Sequence, residues 1–523
     1  MLVAALVAPL AAWAQAAPPP GEGLHLLDAV RKALEQNANT LVQQQQVASF
    51  EGQVLQQKGI FDPLASASFT RSRIATPLPG YQEDALQAAG ITNVFQDQTI
   101  ANTNAYGITK LLPNGMTLGA NYSITSTTDN ITNIINNLQN GGRETSGKLS
   151  FTLTAPLLRN AGRDTVEAPL EAAKAQLRAA RFSLLFTNSQ TVLAATTAYW
   201  AYVSASKNLE IARAAEKNAE TLLEQVRKLV AADEVPSSEI DFAVASEADR
   251  AASRIAAEQA LLDSRRVLAR QLGLTGEQMA ALPPPADPYP DLATVNLDPS
   301  RDTEWMVKQA LDNRADLEAD RILHEAAGYL VTAARNNLKP ELDLSAGFSY
   351  AGLTENSLVT AYERSFYTNR HGPSFNLQLS LQWPVGNNQA RGALETQLAQ
   401  EQTAAITVRD LESTIASNVR TQLRGLLHSV AQLTQGIESV RRYGISVQNE
   451  LTKRRLGSAT LLDVVNMQDR LVAAQVNETQ LRQAYANAIA QLRFETGSLV
   501  RSSDGGYDFR ARDVLYPEFS PAR

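Results

Sequence analysis

Apolar residues recur along this chain with two periods, and the period changes in the same order in each half. From Leu26 to Gly59, and again from Thr303 to Asn337, positions such as Leu27, Val30, Leu34, Val307 and Leu311 keep helical spacing. Each helix is expected to stop before a proline, Pro63 or Pro340, because the residue before proline is pushed out of the helical region. The pattern then becomes alternating. Leu149, Phe151 and Leu153 alternate with Ser150, Thr152 and Thr154, and Phe375, Leu377, Leu379 and Leu381 alternate with Asn376, Gln378, Ser380 and Gln382. Strands are predicted at Leu64–Arg73, Asn104–Leu112, Thr117–Ile124 and Lys148–Leu157, then at Glu341–Tyr350 and Ser374–Trp383. One face of each is apolar and the other is polar but uncharged. Such strands fit either a soluble sandwich with a dry core or a barrel with lipid outside and water inside.

Each strand region leads, past Pro156 or Pro384, into a very long helical stretch. These run from about Asp164 to Ala232 and from about Gln389 to Leu456, and each spans on the order of 100 Å at about 1.5 Å per residue. A rod of that length does not fold inside a globule and needs long partners beside it. A third helix of about half the length closes each half, Ser237–Leu272 and Leu461–Gly497. Residues repeat as well as elements. Val30, Ala33, Leu34, Ala38, Pro63 and Ser68 return at one offset as Val307, Ala310, Leu311, Ala315, Pro340 and Ser345, and Asp241 matches Asp463. The cluster Pro283-Pro284-Pro285-Ala286-Asp287-Pro288-Tyr289-Pro290 separates the halves as a linker. The expected organisation is a signal peptide at 1–16, a first repeat at 24–274, a linker at 275–301, a second repeat at 302–500 and a polar tail at 501–523.

Composition narrows the choice. The 523 residues are 44% hydrophobic, which excludes wholesale disorder, but only 6% aromatic, which is low for a thick globular core. The net charge of −7 argues against a nucleic-acid-coating surface. No cysteine is present, which removes disulfides, cysteine-zinc sites, cysteine nucleophiles and a lipobox anchor. The apolar run Met1–Ala12 before Ala12-Trp13-Ala14 and Ala14-Gln15-Ala16 resembles a secretory signal, without the usual leading Lys or Arg. No later segment carries the ~20 uninterrupted apolar residues of a membrane helix, so a membrane location requires strands.

The order of these elements resembles the TolC-like outer-membrane efflux channel family, from about Leu24 to Val500. Arg314-Ala315-Asp316-Leu317 is similar to the family's Arg-Pro-Asp-Leu signature, with Ala for Pro. The run from Ala155 to Arg163 resembles its strand-to-helix junction, Gly457–Val465 the tip of its second helical hairpin, and Ala484-Tyr485 and Thr496-Gly497 its closing helix. The resemblance implies an α+β membrane protein. Three copies would close one transmembrane β-barrel, continued by a long periplasmic α-helical barrel. The family uses four strands per copy. Pro113-Asn114-Gly115 signals an additional hairpin, leaving open six strands or a pair folded over the outer mouth. Tyr106, Tyr122, Phe348, Tyr350, Phe375 and Trp383 are the expected aromatic girdles, and 74–103, 125–147 and 352–372 the long outer loops.

The resemblance also implies a constriction at the periplasmic end, lined by two aspartates one turn apart. Here Asp463 holds the first position, Asn466 the second, and Asp241 is the carboxylate of the other repeat. Carboxylates from three chains around one mouth would favour cations. Asp241 and Asp463 equally suit ordinary helix N-terminal carboxylates favoured by the dipole. The family's Tyr and Arg lock does not carry over, since Arg454 and Ala459 stand there, and a bridge from Arg454 or Arg455 to a carboxylate is left open. Leu456, Gly457 and Ser458 match the part of the family that touches a periplasmic adaptor. The first tip, Val235-Pro236-Ser237, has no glycine, so its turn is expected to differ.

Catalytic chemistry is absent from the pattern. The four histidines, His25, His324, His371 and His428, are scattered, and no P-loop, GxSxG, HExxH or dinucleotide-binding glycine pattern occurs. No cofactor is expected. The resemblance places the energy source in an inner-membrane transporter and the protein in the outer membrane of a Gram-negative cell, reaching into the periplasm. The rival reading is a soluble coiled-coil scaffold.

Overall fold

The computed structural model describes residues 23–92, 94–131, 143–292, 299–355, 371–503 and 506–508. The expected signal at 1–16, the centres of two outer loops, part of the linker and most of the tail lie outside these residues.

Helices α1 (Leu26–Gln36) and α2 (Ala38–Lys58) lead to strand β1 (Leu64–Pro77). Strands β2 (Gln96–Leu111), β3 (Thr117–Asp129) and β4 (Arg143–Pro156) follow. Helix α3 (Ala168–Ala231) has 64 residues and α4 (Ser238–Gln271) has 34. The second half gives α5 (Pro299–Asn313), α6 (Ala315–Asn336), β5 (Glu341–Glu355), β6 (His371–Gln382), α7 (Asn388–Arg455) and α8 (Leu461–Glu495). Pro63 and Pro340 precede β1 and β5, Pro156 ends β4, and Pro384 lies two residues past β6.

Two predicted helices are broken in two. Asn37 has an extended ψ of 130° between α1 and α2. Its buried side chain donates to the Gln271 carbonyl at 2.8 Å and accepts from the Asn39 N–H at 2.9 Å, so tertiary and cap bonds override the helical periodicity. In the second half the break falls at Arg314, whose buried guanidinium is bonded to two carboxylates. The outer segment 74–103 is not all loop. It holds the end of β1, a helix at Gly80–Ala88 and the start of β2. Within the expected tail, Arg501–Ser503 pairs with Gly506–Asp508.

The chain divides into two compact units. One comprises residues 48–179 and 320–407 and contains all six strands of the main sheet, in the order β1-β2-β3-β4-β5-β6, every pair antiparallel. The Asn-Gly hairpin is therefore part of the sheet, not a flap beside it. Because side chains alternate, the register sorts the residues onto two faces. Ala65, Ile108, Ala120, Phe151, Phe348 and Phe375 form one row, and Ala67, Tyr106, Tyr122, Leu149, Tyr350 and Pro373 the next row on the same face. Opposite them lie Ser66, Gly107, Asn121, Ser150, Ser349 and Ser374. The apolar face is open, with Phe375 72% and Ile108 55% exposed in the single chain.

The turn between β2 and β3 is held at the strand-to-helix junctions. The Gly162 N–H donates to the Asn114 carbonyl at 3.3 Å, and the Leu157 N–H to Leu342 at 2.7 Å. Gly115 has φ +89°, and a Cβ there would overlap the Asn160 carbonyl oxygen.

The other unit is helical and includes residues 180–319 and 408–523. Its apolar seams are thin. In α7, Ile415, Val419, Leu423, Leu426 and Leu433 keep one face and meet Met306, Val307 and Ala310 of α5 and Tyr485, Ile489 and Leu492 of α8. Val30 and Leu34 of α1 pack with Val192 and Val203 of α3, Leu268 of α4, and Ala486 and Ala490 of α8. Buried alanines let these helices approach closely, which accounts for the low aromatic content. The aromatics that are present cluster. Trp200 is fully buried, edge-on to Tyr199 at 5.3 Å and stacked on Tyr289 of the linker at 5.5 Å. The linker is thus a strap. Asp287 accepts the Leu26 N–H at 2.6 Å and lies 2.8 Å from both the Tyr199 hydroxyl and His25 Nδ1. Burial, above all, pushes the Tyr199 phenol far up from its ordinary value.

Candidate channel entrance

The helical unit contains both hairpin tips. Leu222, Leu223 and Val226 of α3, Ala243 of α4, and Leu461 and Val465 of α8 form one apolar cluster. This brings the starts of α4 and α8 together, and with them the segments that carry Asp241 and Asp463.

Both tips end their long helix with the same backbone device. At the second tip Gly457 adopts φ +74°, and the Ser458 N–H donates to the Lys453 carbonyl at 2.9 Å. At the first, Asp233 adopts φ +54°, and the Glu234 N–H donates to Leu229 at 3.0 Å. The expected difference is therefore not in how the helix terminates. Asp233 performs the left-handed cap that glycine usually supplies, as short polar side chains can. The difference lies in how the next helix begins. Thr460 and Asp463 form a reciprocal capping box, with the Thr460 N–H donating to Asp463 Oδ2 at 2.9 Å and the Asp463 N–H to Thr460 Oγ1 at 3.2 Å. Ser237 makes no such side-chain bond to α4, and Val235 and Pro236 form the bend before it.

Asp463 is exposed, and its carboxyl is held below the usual aspartate range. The causes are the Thr460 hydroxyl, then the Thr460 N–H, with Lys453 adding a smaller Coulombic pull. Asp241 is also exposed, in the first turn of α4. Asn466 lines a groove of about 340 Å³ with Leu462, Val465 and Asp469 of α8 and Phe242 and Asp249 of α4. Arg455 and the tip residues Leu456, Gly457 and Ser458 face solvent.

Arg454 lies 3.7 Å from Glu239 of α4, its side chain 16% exposed. The bridge thus joins the two hairpins through Arg454 and not Arg455. Three partners were not legible in the sequence. Glu239 carries no motif. Arg250 of α4 and Asp469 of α8 form a second cross-hairpin ion pair. Asp469 continues the three-residue spacing of Asp463 and Asn466, and that spacing could have flagged it.

The family model for outer membrane efflux proteins matches residues 306–498. That match covers most of the second half of the chain. The TolC outer membrane protein of Vibrio cholerae is 24% identical over 337 residues, 63% of this chain and 73% of its own length. The outer membrane efflux protein BepC of Brucella suis is 25% identical over 335 residues, 64% of this chain and 69% of its own. The solved outer membrane protein VceC of Vibrio cholerae superposes with a TM-score of 0.62 at 16% identity, over 90% of this chain and 96% of that one. The chain is thus read as a channel of the Gram-negative outer membrane, a duct and not an enzyme.

Proposed function

We propose that the chain is the passive exit duct of a tripartite efflux pump or type I secretion system and works as a homotrimer. In this reading the sheets of three copies close one β-barrel, and the helices form the periplasmic tunnel. The duplicated repeats are 24–274 and 302–500, joined by the 275–301 strap. The observation that carries the reading is the two-faced sheet, with apolar rows on one side, Ser, Thr, Asn and Gly on the other, and β1 and β6 at its two ends. A sheet with open ends cannot stand in lipid, where every backbone polar group needs a partner, so copies must pair end to end. The soluble-scaffold alternative leaves those exposed rings without a purpose.

In the helical unit, the tips 235–237 and 456–458 are the adaptor-contact surface, and an inner-membrane transporter supplies the energy. Asp241, Asp463 and Asn466 line the entrance, and the Arg454–Glu239 pair helps to hold it shut. The test is conductance across a planar bilayer. Purified protein should conduct and favour cations over anions. Absence of conductance sinks the duct, and unchanged selectivity in Asp463→Ala removes that residue from the entrance.

A further inference from the structure

We infer that the β2–β3 hairpin stands in the membrane as two full staves, so that the exit is an eighteen-stranded barrel with a wide lumen. This rests on the trimeric duct proposed above, since three copies of a six-stranded sheet give eighteen strands.

Three features of the hairpin support it. First, β2 and β3 are ladder strands over their whole length. β2 pairs with β1 from Leu64↔Thr109 to Pro77↔Gln96, and β3 pairs with β4 from Thr117↔Thr154 to Thr128↔Arg143. A hairpin folded across the mouth would have to give up both ladders.

Second, the outward residues of the hairpin continue the apolar rows of its neighbours. Ile108 and Ala120 lie level with Phe151, Phe348 and Phe375, and Tyr106 and Tyr122 lie level with Leu149 and Tyr350. On β6 the apolar band has the height of a membrane. The tyrosine row includes Pro373, and Trp383 lies on the same face ten residues further on. At about 3.3 Å per residue and a tilt near 40°, that step covers about 25 Å along the membrane normal, the height of an outer-membrane apolar band. Lys110 is the one cation of β2 on this face, one residue from the end of the strand, where its stem can carry the charge to the interface.

Third, the inward face is built for a wide curve. Gly107 faces Ser66, Gly119 faces Thr152 and Gly347 faces Asn376, and a Cβ on any of these glycines would crowd the polar side chain opposite. Small residues on the concave side and rings on the convex side let the sheet coil inward. Lys148 and Asp343 also lie on this face, but two of its rows carry no charge. They are Ser66, Gly107, Asn121, Ser150, Ser349 and Ser374, then Leu64, Thr109, Gly119, Thr152, Gly347 and Asn376.

Strands about 4.8 Å apart and tilted near 40° each take about 6.3 Å of circumference, so eighteen give a backbone ring about 36 Å across and twelve only about 24 Å. Allowing about 5 Å of side chain on each side, the lumen is about 25 Å wide, in the range of the porins that hold an aqueous channel. The exit then passes bulky solutes.

The cysteine-free sequence makes the test direct. Single cysteines at Ile108, Ala120, Thr109, Asn121 and Leu379 carry an environment-sensitive fluorophore, and the labelled protein is reconstituted with spin-labelled lipid. Ile108→Cys and Ala120→Cys should lose at least threefold in intensity, as Leu379→Cys does, while Thr109→Cys and Asn121→Cys stay bright. If Leu379→Cys is quenched and Ala120→Cys is not, the hairpin is outside the membrane and the inference falls. If Leu379→Cys is also bright, the barrel reading itself falls. Electron micrographs viewed down the axis give the second arm. A trimer with a β-ring of about 36 Å supports eighteen staves, whereas a ring of about 24 Å or another copy number overturns them.

Discussion

Arg314 donates to Glu495 at 2.6 Å, a buried ion pair that ties the start of α6 to the end of α8. Its other donors go to Asp316 at 2.7 and 3.0 Å, and its guanidinium lies 5.6 Å from the ring centroids of both Phe186 and Phe494. Burial disfavours the charge, but Asp316 and Glu495 together outweigh it and raise the guanidinium above its ordinary value. Glu495→Gln leaves that cation only partly compensated. The expected loss is on the order of 3 kcal/mol, the lower end for breaking a buried pair because Asp316 stays in place. Thermal unfolding in detergent should show it as a lowered midpoint, with single-channel conductance unchanged in molecules that still assemble.

In the proposed entrance, Asp463 ties helix capping to selectivity. Its carboxyl pKa is depressed, so the charge and the cap it makes are fully present above the ordinary aspartate value near 4 and are lost only as pH falls through the lower folded value. Cation preference, read as a reversal potential, should therefore persist below pH about 4. Thr460→Ala removes the hydroxyl that does most of the depressing, so preference should fade at higher pH. The lost cap should also cost about 1 kcal/mol locally, seen as faster amide exchange in the first turn of α8.

The Arg454–Glu239 bridge should act on opening. At 3.7 Å and partly exposed, such a pair contributes at most about 1 kcal/mol, so Glu239→Gln should raise the open fraction by no more than about fivefold for each of the three copies. Bilayer recordings of unpaired channels measure this directly. A fall in open fraction would assign the pair a different role.

Gly115 tests the junction beneath the sheet. Its φ of +89° and the Asn160 carbonyl beside it leave no room for a methyl group. Gly115→Ala should destabilise the strand-to-helix junction by about 1–3 kcal/mol. Heating in detergent until assembled protein dissociates into single chains should reveal the loss as a lower transition temperature.

The sequence carries the elements of this fold well because its longest signals are periodic. Helix α7 was expected at about Gln389 to Leu456 and is Asn388–Arg455. The strand faces follow from alternation alone, and the rows of Tyr106, Tyr122 and Tyr350 and of Phe348 and Phe375 lie where alternation puts them. What escaped notice depends on partners far along the chain. Nothing near Asn37 announces a helix break, because the break is made by Gln271, 234 residues away. Arg250 and Asp469 meet only when α4 and α8 pack. Asp233 in a left-handed cap is hidden for another reason. Aspartate signals a turn in general but does not say which residue of the turn takes positive φ.

The strap at Asp287 also sets an order of events. Leu24 bonds backbone to backbone with Pro284 and Ala286, and Leu26 is held by a carboxylate 261 residues later. The first helix can be locked only after the whole first half and the linker have been delivered. Until then its apolar face, Leu26, Val30 and Leu34, has no lid. A chaperone that holds unfolded chains in the periplasm should therefore find its longest-lived target at α1, although this is the part of the fold that arrives there first.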